Sequence, residues 1–248
     1  MISFERRTAV VTGAAHGIGL GIAQLLVELG ADVTAVDVDG AALRANCGDG
    51  MTTVVGDLSD TDTGALATSL VADHGPFDLI VNNVGIDTPH AFLALDEPDY
   101  DRVFATNLRG PWFFTKSLVG ELIAAERPGA IVFISSLHDT FVRGFPHYSA
   151  SKAAVAMLAR ELAVELAPHR IRVNSVSPGV VRSAHVVPQD QSGTPSESPI
   201  MPLGRIGEPD DVARMVAVLL SDTWSGYVTG VNLRVDGGLG LYSWSTRD

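Results

Sequence analysis

Short β-branched runs alternate with longer amphipathic stretches from the first residues of the chain onward. The runs at 8–12 (TAVVT), 32–38 (DVTAVDV), 51–55 (MTTVV), 77–83 (FDLIVNN), 130–135 (AIVFIS), 171–177 (IRVNSVS) and 231–235 (VNLRV) predict seven strands. Between them, 18–29, 60–74, 98–125, 148–167 and 208–221 carry helical periodicity. Nearly continuous apolar strands joined by helix-length crossovers predict a parallel sheet covered on both faces, an α/β doubly wound fold. The alternation continues along all 248 residues, so 1–248 is expected to form a single domain. The one break is 188–202, PQDQSGTPSESPIMP, where Pro and Ser displace the periodicity; a mobile flap at about 184–205 is predicted there.

In such sheets ligands sit beyond the carboxyl ends of the strands, where the strand order reverses. After the first strand comes Thr12-Gly13-Ala-Ala-His16-Gly17-Ile18-Gly19, opening the next helix. Glycines here permit a tight turn and bring backbone N–H groups against a pyrophosphate at the positive helix end. The spacing G-x-x-x-G-x-G differs from the general G-x-G-x-x-G fingerprint, and by itself it is weak evidence, with a plain strand-to-helix turn as the alternative. Asp37 changes that balance: it ends the second strand 18 residues after Gly19, where a carboxylate accepts from adenosine ribose hydroxyls and repels a 2′-phosphate. NAD is therefore expected over NADP. His16 could attract a phosphate if charged, but near pH 7 it reads mainly as a turn residue. Asp57 and Leu58 follow the third strand, placed to meet adenine, and Asn82-Asn83-Val84-Gly85 follows the fourth. Helix capping and turn formation are the alternative roles for Asp57 and Asn82.

Tyr148 and Lys152 lie four residues apart in HYSASKAAVAMLARELAVEL, in a chain with only two lysines. Residues four apart share a helix face, so ammonium and phenol point the same way near a helix N-terminus. Both features favour phenolate, and the Tyr148 pKa is expected to fall from about 10 toward neutrality, as suits a general acid/base. A surface pair worth a few tenths of a kcal/mol is the competing account.

Composition narrows the partners. Formal net charge is −12, with 29 acidic against 17 basic residues, which disfavours nucleic acid and anionic membranes. Cys47 stands alone, excluding an intrachain disulfide, and no apolar run has membrane-spanning length. With no basic-then-apolar leader at the N-terminus, a cytoplasmic location is expected. No His/Cys/Asp group has metal-site spacing, so no metal is expected.

Taken in order, Thr12-Gly13-x-x-x-Gly17-x-Gly19, Asn82-Asn83-x-Gly85, Asn107, Ser135-Ser136, Tyr148-x-x-x-Lys152, Asn174 and Pro178-Gly179 resemble the short-chain dehydrogenase/reductase family, and the likeness continues to GYVTGVNLRVDGG at 226–238. The resemblance implies a Rossmann-type domain, usually a homodimer or homotetramer, that moves hydride between nicotinamide and an alcohol or ketone carbon. Its tetrad maps onto Asn107, Ser136, Tyr148 and Lys152. Tyr148 would exchange the alcohol proton, and Ser136 would hydrogen-bond the substrate oxygen. Lys152 would lower the phenol pKa and bind ribose hydroxyls, while Asn107 would hold a helix kink and a proton-relaying water. Gly13, His16, Gly17, Ile18, Gly19, Asp37, Asp57, Leu58, Asn83, Val84 and Gly85 would bind the adenosine and pyrophosphate; Pro178, Gly179, Val181 and Ser183 would border nicotinamide.

Two departures stand out. Val84 replaces the family's usual alanine. The family's serine commonly lies thirteen residues before the tyrosine, which is Ser135 here, whereas the second serine of the pair is Ser136. Strand residues alternate faces, so one of the two aims into the cleft, and a one-residue deletion fits the loop at 137–147 better than a central strand; Ser136 is chosen. Substrate contacts are expected from His138 and Phe145 among the residues of 86–93, 137–147 and the flap. Tyr242 and Trp244 of the tail would pack on a neighbouring subunit or close a pocket. The sequence thus points to NAD-dependent oxidation of a secondary alcohol. A thioester ketoreductase serving an acidic carrier protein, or a nucleotide-sensing protein without chemistry, are the alternatives; the acidic balance opposes the first and the intact tetrad the second.

Overall fold

The computed structural model describes residues 2–60, 62–88, 90–142, 144–182 and 201–241. Seven strands form one parallel sheet in the order β3-β2-β1-β4-β5-β6-β7. They are β1 (Thr8–Thr12), β2 (Asp32–Asp37), β3 (Thr52–Val55), β4 (Leu79–Asn82), β5 (Gly129–Ile134), β6 (Ile171–Pro178) and β7 (Asn232–Val235). The helices are α1 (Gly17–Glu28), α2 (Gly40–Asn46), α3 (Thr63–His74), α4 (Glu97–Phe104), α5 (Gly110–Ala124), α6 (Pro146–Leu166), α7 (Pro209–Leu220) and the single turn α8 (Asp222–Ser225).

Side-chain alternation along the strands builds a core on each face. Ala9, Val11, Val33, Ala35, Leu79, Val81 and Val132 pack toward α1 and α7. Val10, Val36, Ile80, Ile131, Phe133 and Val173 pack toward α3, α5 and α6. On the first face small residues let the helices approach closely: a Cβ on Gly21 of α1 would lie 3.1 Å from Pro209 of α7.

All seven strands arise where the apolar runs predict them, with ends shifted by a few residues at most. The predicted helix 98–125 is two helices joined by a π-helical turn at Ala105–Arg109. Sequence periodicity misses α2, because it is seven residues long and buries one side chain, Leu43; its signal is local, with Asp39 accepting from the N–H groups of Ala41 and Ala42. Asp57 does not cap the following helix. Asp62 does so by accepting from Ala65, while Asp57 holds Ser59.

Two charged knots tie the N-terminal edge of the sheet. Asp78 meets Arg7, Arg127 and the Thr8 N–H. Arg172, 9% exposed at the start of β6, donates to the carbonyls of Leu219 and Leu220, to that of Val228 and to Asp222. A cation at the C-terminal end of α7 satisfies carbonyls that the helix itself leaves unpaired. Among the described residues no helix is long and apolar enough to cross a membrane, and no group of three or more His, Cys, Asp or Glu could hold a metal ion.

Candidate active site

The chain passes from β1 outward to β2 and β3, then returns to β4 on the other side of β1. That reversal opens a crevice beyond the carboxyl ends of β1 and β4, and a cleft of about 580 Å³ occupies it. Gly13 turns at φ +65°, and a Cβ there would lie 2.8 Å from Asn83 Nδ2; one on Gly19 would stand 2.0 Å from the Gly13 carbonyl oxygen. The turn is braced from β4: Asn83 Nδ2 donates to the carbonyls of Thr12 and Gly13, each at 3.0 Å, and Thr12 Oγ1 accepts from the N–H of Asn83 at 3.1 Å. No side chain caps α1, and no acid lies in its first turn. Its leading N–H groups therefore face the cleft as donors for an anion.

Asp37 closes one end of the cleft. Its carboxylate accepts from the N–H of Ala15 and of Asp39, each at 3.0 Å, leaving further acceptor capacity toward the cleft. Beside it Asp39 is held below the usual carboxylate range by the N–H of Ala42 and by His16, whose Nε2 lies 3.5 Å away. Asp57, Leu58 and Val84 line an adjoining pocket of about 220 Å³ together with Arg102, which is paired with Asp99 at 2.6 Å.

At the other end stand Ser136, Tyr148 and Lys152. Ser136 lies two residues past the end of β5; its Oγ accepts from the N–H of His138 at 3.2 Å, and it shares the cleft with the Tyr148 phenol. Ser135 turns the other way: its Oγ donates to the Lys152 backbone carbonyl at 2.9 Å. Lys152 is 4% exposed, and its Nζ donates to the Ile134 carbonyl at 3.0 Å and lies 5.9 Å from the centre of the Tyr148 ring. Burial pushes this ammonium down to a pKa of about 8.

The expected fall in the Tyr148 pKa is not what the structure gives. Burial pushes the phenol above its ordinary value of 10; the Ser136 hydrogen bond opposes that, and the negative charge of Asp87 adds to it. Lys152 spends its donor on Ile134 and is itself drawn toward neutrality, so it offsets little of the desolvation.

Asn107 sits in the π-helical turn, buried outside the cleft. Its Oδ1 accepts from the N–H of Ile86 at 2.8 Å, and its Nδ2 donates to the Ile86 carbonyl at 2.9 Å and to Ser151 Oγ at 3.0 Å. Asn82 points away as well, donating to Thr115. Pro178, Gly179 and Val181 line the cleft wall, followed by Arg182, which is paired with Glu208. His138 lines the cleft with its ring edge on Tyr148, 5.3 Å between centres. Phe145 lies behind His138, against a separate pocket of about 410 Å³. Of the predicted flap, Met201 is buried against Leu137 and Leu239. Ser183, residues 184–200, Tyr242 and Trp244 lie outside the described residues.

The cleft also takes in Ile86 and Asp87, from the 86–93 stretch expected to contact substrate though neither was named there individually, and Leu239, which lies outside the stretches expected to contact substrate. Asp87 carried one available signal, an acid two residues past Gly85 at a strand end. Leu239 carried none, since it reaches the cleft from the far end of the chain.

Comparison with known proteins agrees with this fold. The family model described as enoyl-(acyl carrier protein) reductase matches residues 13–240. A D-erythrulose reductase from Gallus gallus is 36% identical over 242 residues, covering 96% of this chain and 97% of its own. A (3R)-3-hydroxyacyl-CoA dehydrogenase from Rattus norvegicus is 35% identical over 247 residues, covering 93% and 95%. A crystal structure of a short-chain type dehydrogenase/reductase from Mycobacterium marinum superposes with a TM-score of 0.87 at 31% identity, covering 96% and 97%.

Proposed function

The chain belongs to the short-chain dehydrogenase/reductase family, and from that premise we propose that it is an NAD-dependent oxidoreductase interconverting a secondary alcohol and a ketone, with Tyr148 as general acid/base. The observation that carries the proposal is that Ser136, Tyr148 and Lys152 line the same cleft as the glycine turn and Asp37. The cradle fits a dinucleotide: Gly13, His16, Gly17 and Ile18 would offer backbone to a pyrophosphate, Asp37 would accept from the ribose, and Pro178, Gly179 and Val181 would wall the nicotinamide end. When bound, the nicotinamide supplies the carbon that gives or takes hydride.

The chain's own residues manage the oxygen and its proton. In reduction, Tyr148 donates its proton to the ketone oxygen as charge develops there, and Ser136 donates a hydrogen bond to the same oxygen. In oxidation, the Tyr148 phenolate takes the alcohol proton. A phenol held above its ordinary pKa is the acid form at neutral pH, so reduction is favoured there and oxidation gains rate as pH rises. Asn107 fixes the backbone of Ile86, and with it the cleft wall beside Lys152.

Support for NAD comes from the end of β2. A 2′-phosphate would stand against Asp37 and Asp39, with His16 engaged by Asp39. Assembly as a homodimer or homotetramer belongs to the same proposal, supported by Tyr100, Trp112 and Phe113 standing exposed on α4 and α5.

The hydroxyacyl-CoA dehydrogenase relative favours a second reading, reduction of a 3-oxoacyl thioester. One experiment addresses both: NADH and NADPH consumption with ketoses, acetoin, cyclic ketones and acetoacetyl thioesters, using wild type and Tyr148→Phe. Turnover with NADH, lost in the variant, is expected. Faster turnover with NADPH would overturn the cofactor assignment, a marked preference for thioesters would install the second reading, and undiminished rates in Tyr148→Phe would remove the mechanism.

A further inference from the structure

Beside Tyr148 runs a short loop whose construction the proton transfer does not explain. It follows β4 as Gly85-Ile86-Asp87-Thr88. Asn107 grips Ile86 by both its N–H and its carbonyl. Two residues on, Thr88 Oγ1 and His147 Nε2 lie 2.8 Å apart, and both residues are buried, at 4% and 3% exposure. His147 directly precedes Tyr148 on α6.

Asp87 is thus anchored on either side, once to the residue that braces the cleft wall and once to the neighbour of the acid/base. Between those anchors its own side chain is exposed, and it lines the cleft. Its charge reaches the Tyr148 phenol. Among the described residues it forms no ion pair. A carboxylate held by two buried clamps beside the reacting group is a feature of binding, since an exposed acid gains nothing for the fold from such placement.

We propose that Asp87 is a specificity-determining residue that accepts a hydrogen bond from a hydroxyl next to the reacting carbon, so that the substrate is a neutral hydroxyketone or polyol and a carboxylate at that position is rejected. The inference rests on the dehydrogenase reading and names its substrate class. An ionised carboxylate is an acceptor only: it takes a hydroxyl as a charge-assisted donor, and it meets an anionic group with repulsion in a partly desolvated cleft. Discrimination on the order of 10- to 100-fold is expected from such a contact. His138, whose ring packs against Tyr148 and lines the same cleft, is a second polar contact for the same substrate.

Hydroxyacetone and pyruvate test this as a matched pair, because both are three-carbon methyl ketones and differ in carrying a neutral CH₂OH or a carboxylate beside the carbonyl. Wild type should show kcat/KM at least 10-fold higher for hydroxyacetone, and Asp87→Asn should narrow the ratio at least 10-fold, chiefly through KM. Calorimetric titration of the same two ketones into the NADH-loaded Tyr148→Phe protein, with and without Asp87→Asn, reads binding apart from turnover. An unchanged ratio in Asp87→Asn, or faster turnover of pyruvate by wild type, overturns the role of Asp87 and leaves the dehydrogenase standing. An Asp87-dependent binding preference with no turnover of any ketone or alcohol by wild type supports the role of Asp87 and removes the dehydrogenase. Absence of both turnover and preference overturns both.

Discussion

At the N-terminal edge of the sheet the Asp78 carboxylate, 3% exposed, meets two guanidinium groups and a backbone N–H; at the opposite edge the Lys152 ammonium, 4% exposed, meets one carbonyl. Both are charges taken out of water, which is unfavourable unless partners replace the lost hydration. At Asp78, and at Arg172 with its carbonyls and Asp222, the replacement is nearly complete. At Lys152 it is not, and the shortfall shows as an ammonium that releases its proton near pH 8. One edge is built to hold the sheet together, while the other keeps titratable groups that can still change state. The difference separates positions where substitution should unfold the protein from those where it should silence it.

The sharpest way to break that separation is at Tyr148. Replacing it with Phe removes only the hydroxyl that lines the cleft beside Ser136, and the loss of one general acid/base should lower kcat about 10²- to 10⁴-fold. The melting temperature should stay within a few degrees of wild type, because the ring packing is kept. A calorimetric scan beside the rate assay checks both halves. The mirror-image result is expected at Arg172→Met: carbonyls at the end of α7 lose their donor, and stability should fall by about 3 kcal/mol in a denaturant titration. Activity per folded molecule should be unchanged, since Arg172 lies at the far edge of the sheet.

The two edges were unequally legible in the sequence. The strands and long helices follow from periodicity, and the strand ends that form the crevice follow from them, because β-branched runs broken by glycine leave little choice of architecture. Tyr148 and Lys152 stood out by their spacing on a predicted helix in a chain with two lysines. What the sequence could not show was the balance of forces on them: residue types suggest an ammonium lowering a phenol pKa, and burial reverses the direction. Burial depends on how β5, α6 and the loop after β4 close together, which no local pattern contains. The same applies to the clamp of Thr88 on His147, two residues 59 positions apart with no shared motif. It applies again to Arg172, whose partners come from the end of α7 and beyond.

Lys152→Met sharpens the comparison from the other side, by making the protein more stable while disabling it. Below pH 8 the folded and unfolded chains both carry the ammonium, and the folded chain bears its desolvation. Between about 8 and 10.5 the unfolded chain holds a proton that the folded chain has released, so stability at this site rises with pH; above 10.5 both are neutral. The drop from 10.5 to about 8 corresponds to about 3 kcal/mol, and losing the hydrogen bond to Ile134 takes back about 1. The Met variant should therefore gain about 2 kcal/mol at pH 7, with the gain shrinking as pH climbs from 8 toward 10.5. Chemical denaturation at pH 7 and pH 10 measures this; a loss of stability at pH 7 would mean that the ammonium is better compensated than its single carbonyl partner suggests.

The smallest effects come from two glycines that differ in what surrounds them. A Cβ on Gly85 would stand 2.8 Å from Lys152 Nζ and 3.5 Å from Asn107 Oδ1, whereas one on Gly120 meets nothing within 4 Å. Gly85 has no left-handed φ to forbid alanine, so the obstacle is the ammonium alone. A flexible side-chain end can give way, and Gly85→Ala should fold with a stability loss of about 1 kcal/mol or less. The displaced ammonium would leave its place between Ile134 and the Tyr148 ring, and kcat should drop roughly tenfold, as small misplacements near reacting groups do. Gly120→Ala, on the exposed side of α5, should instead raise stability by about 0.5–1 kcal/mol through lower backbone entropy in the unfolded chain, with kcat unmoved. Measured side by side, the pair asks whether the position of Lys152 is set by contact at Gly85: equal kcat in the two variants would show that the ammonium finds its place without that glycine.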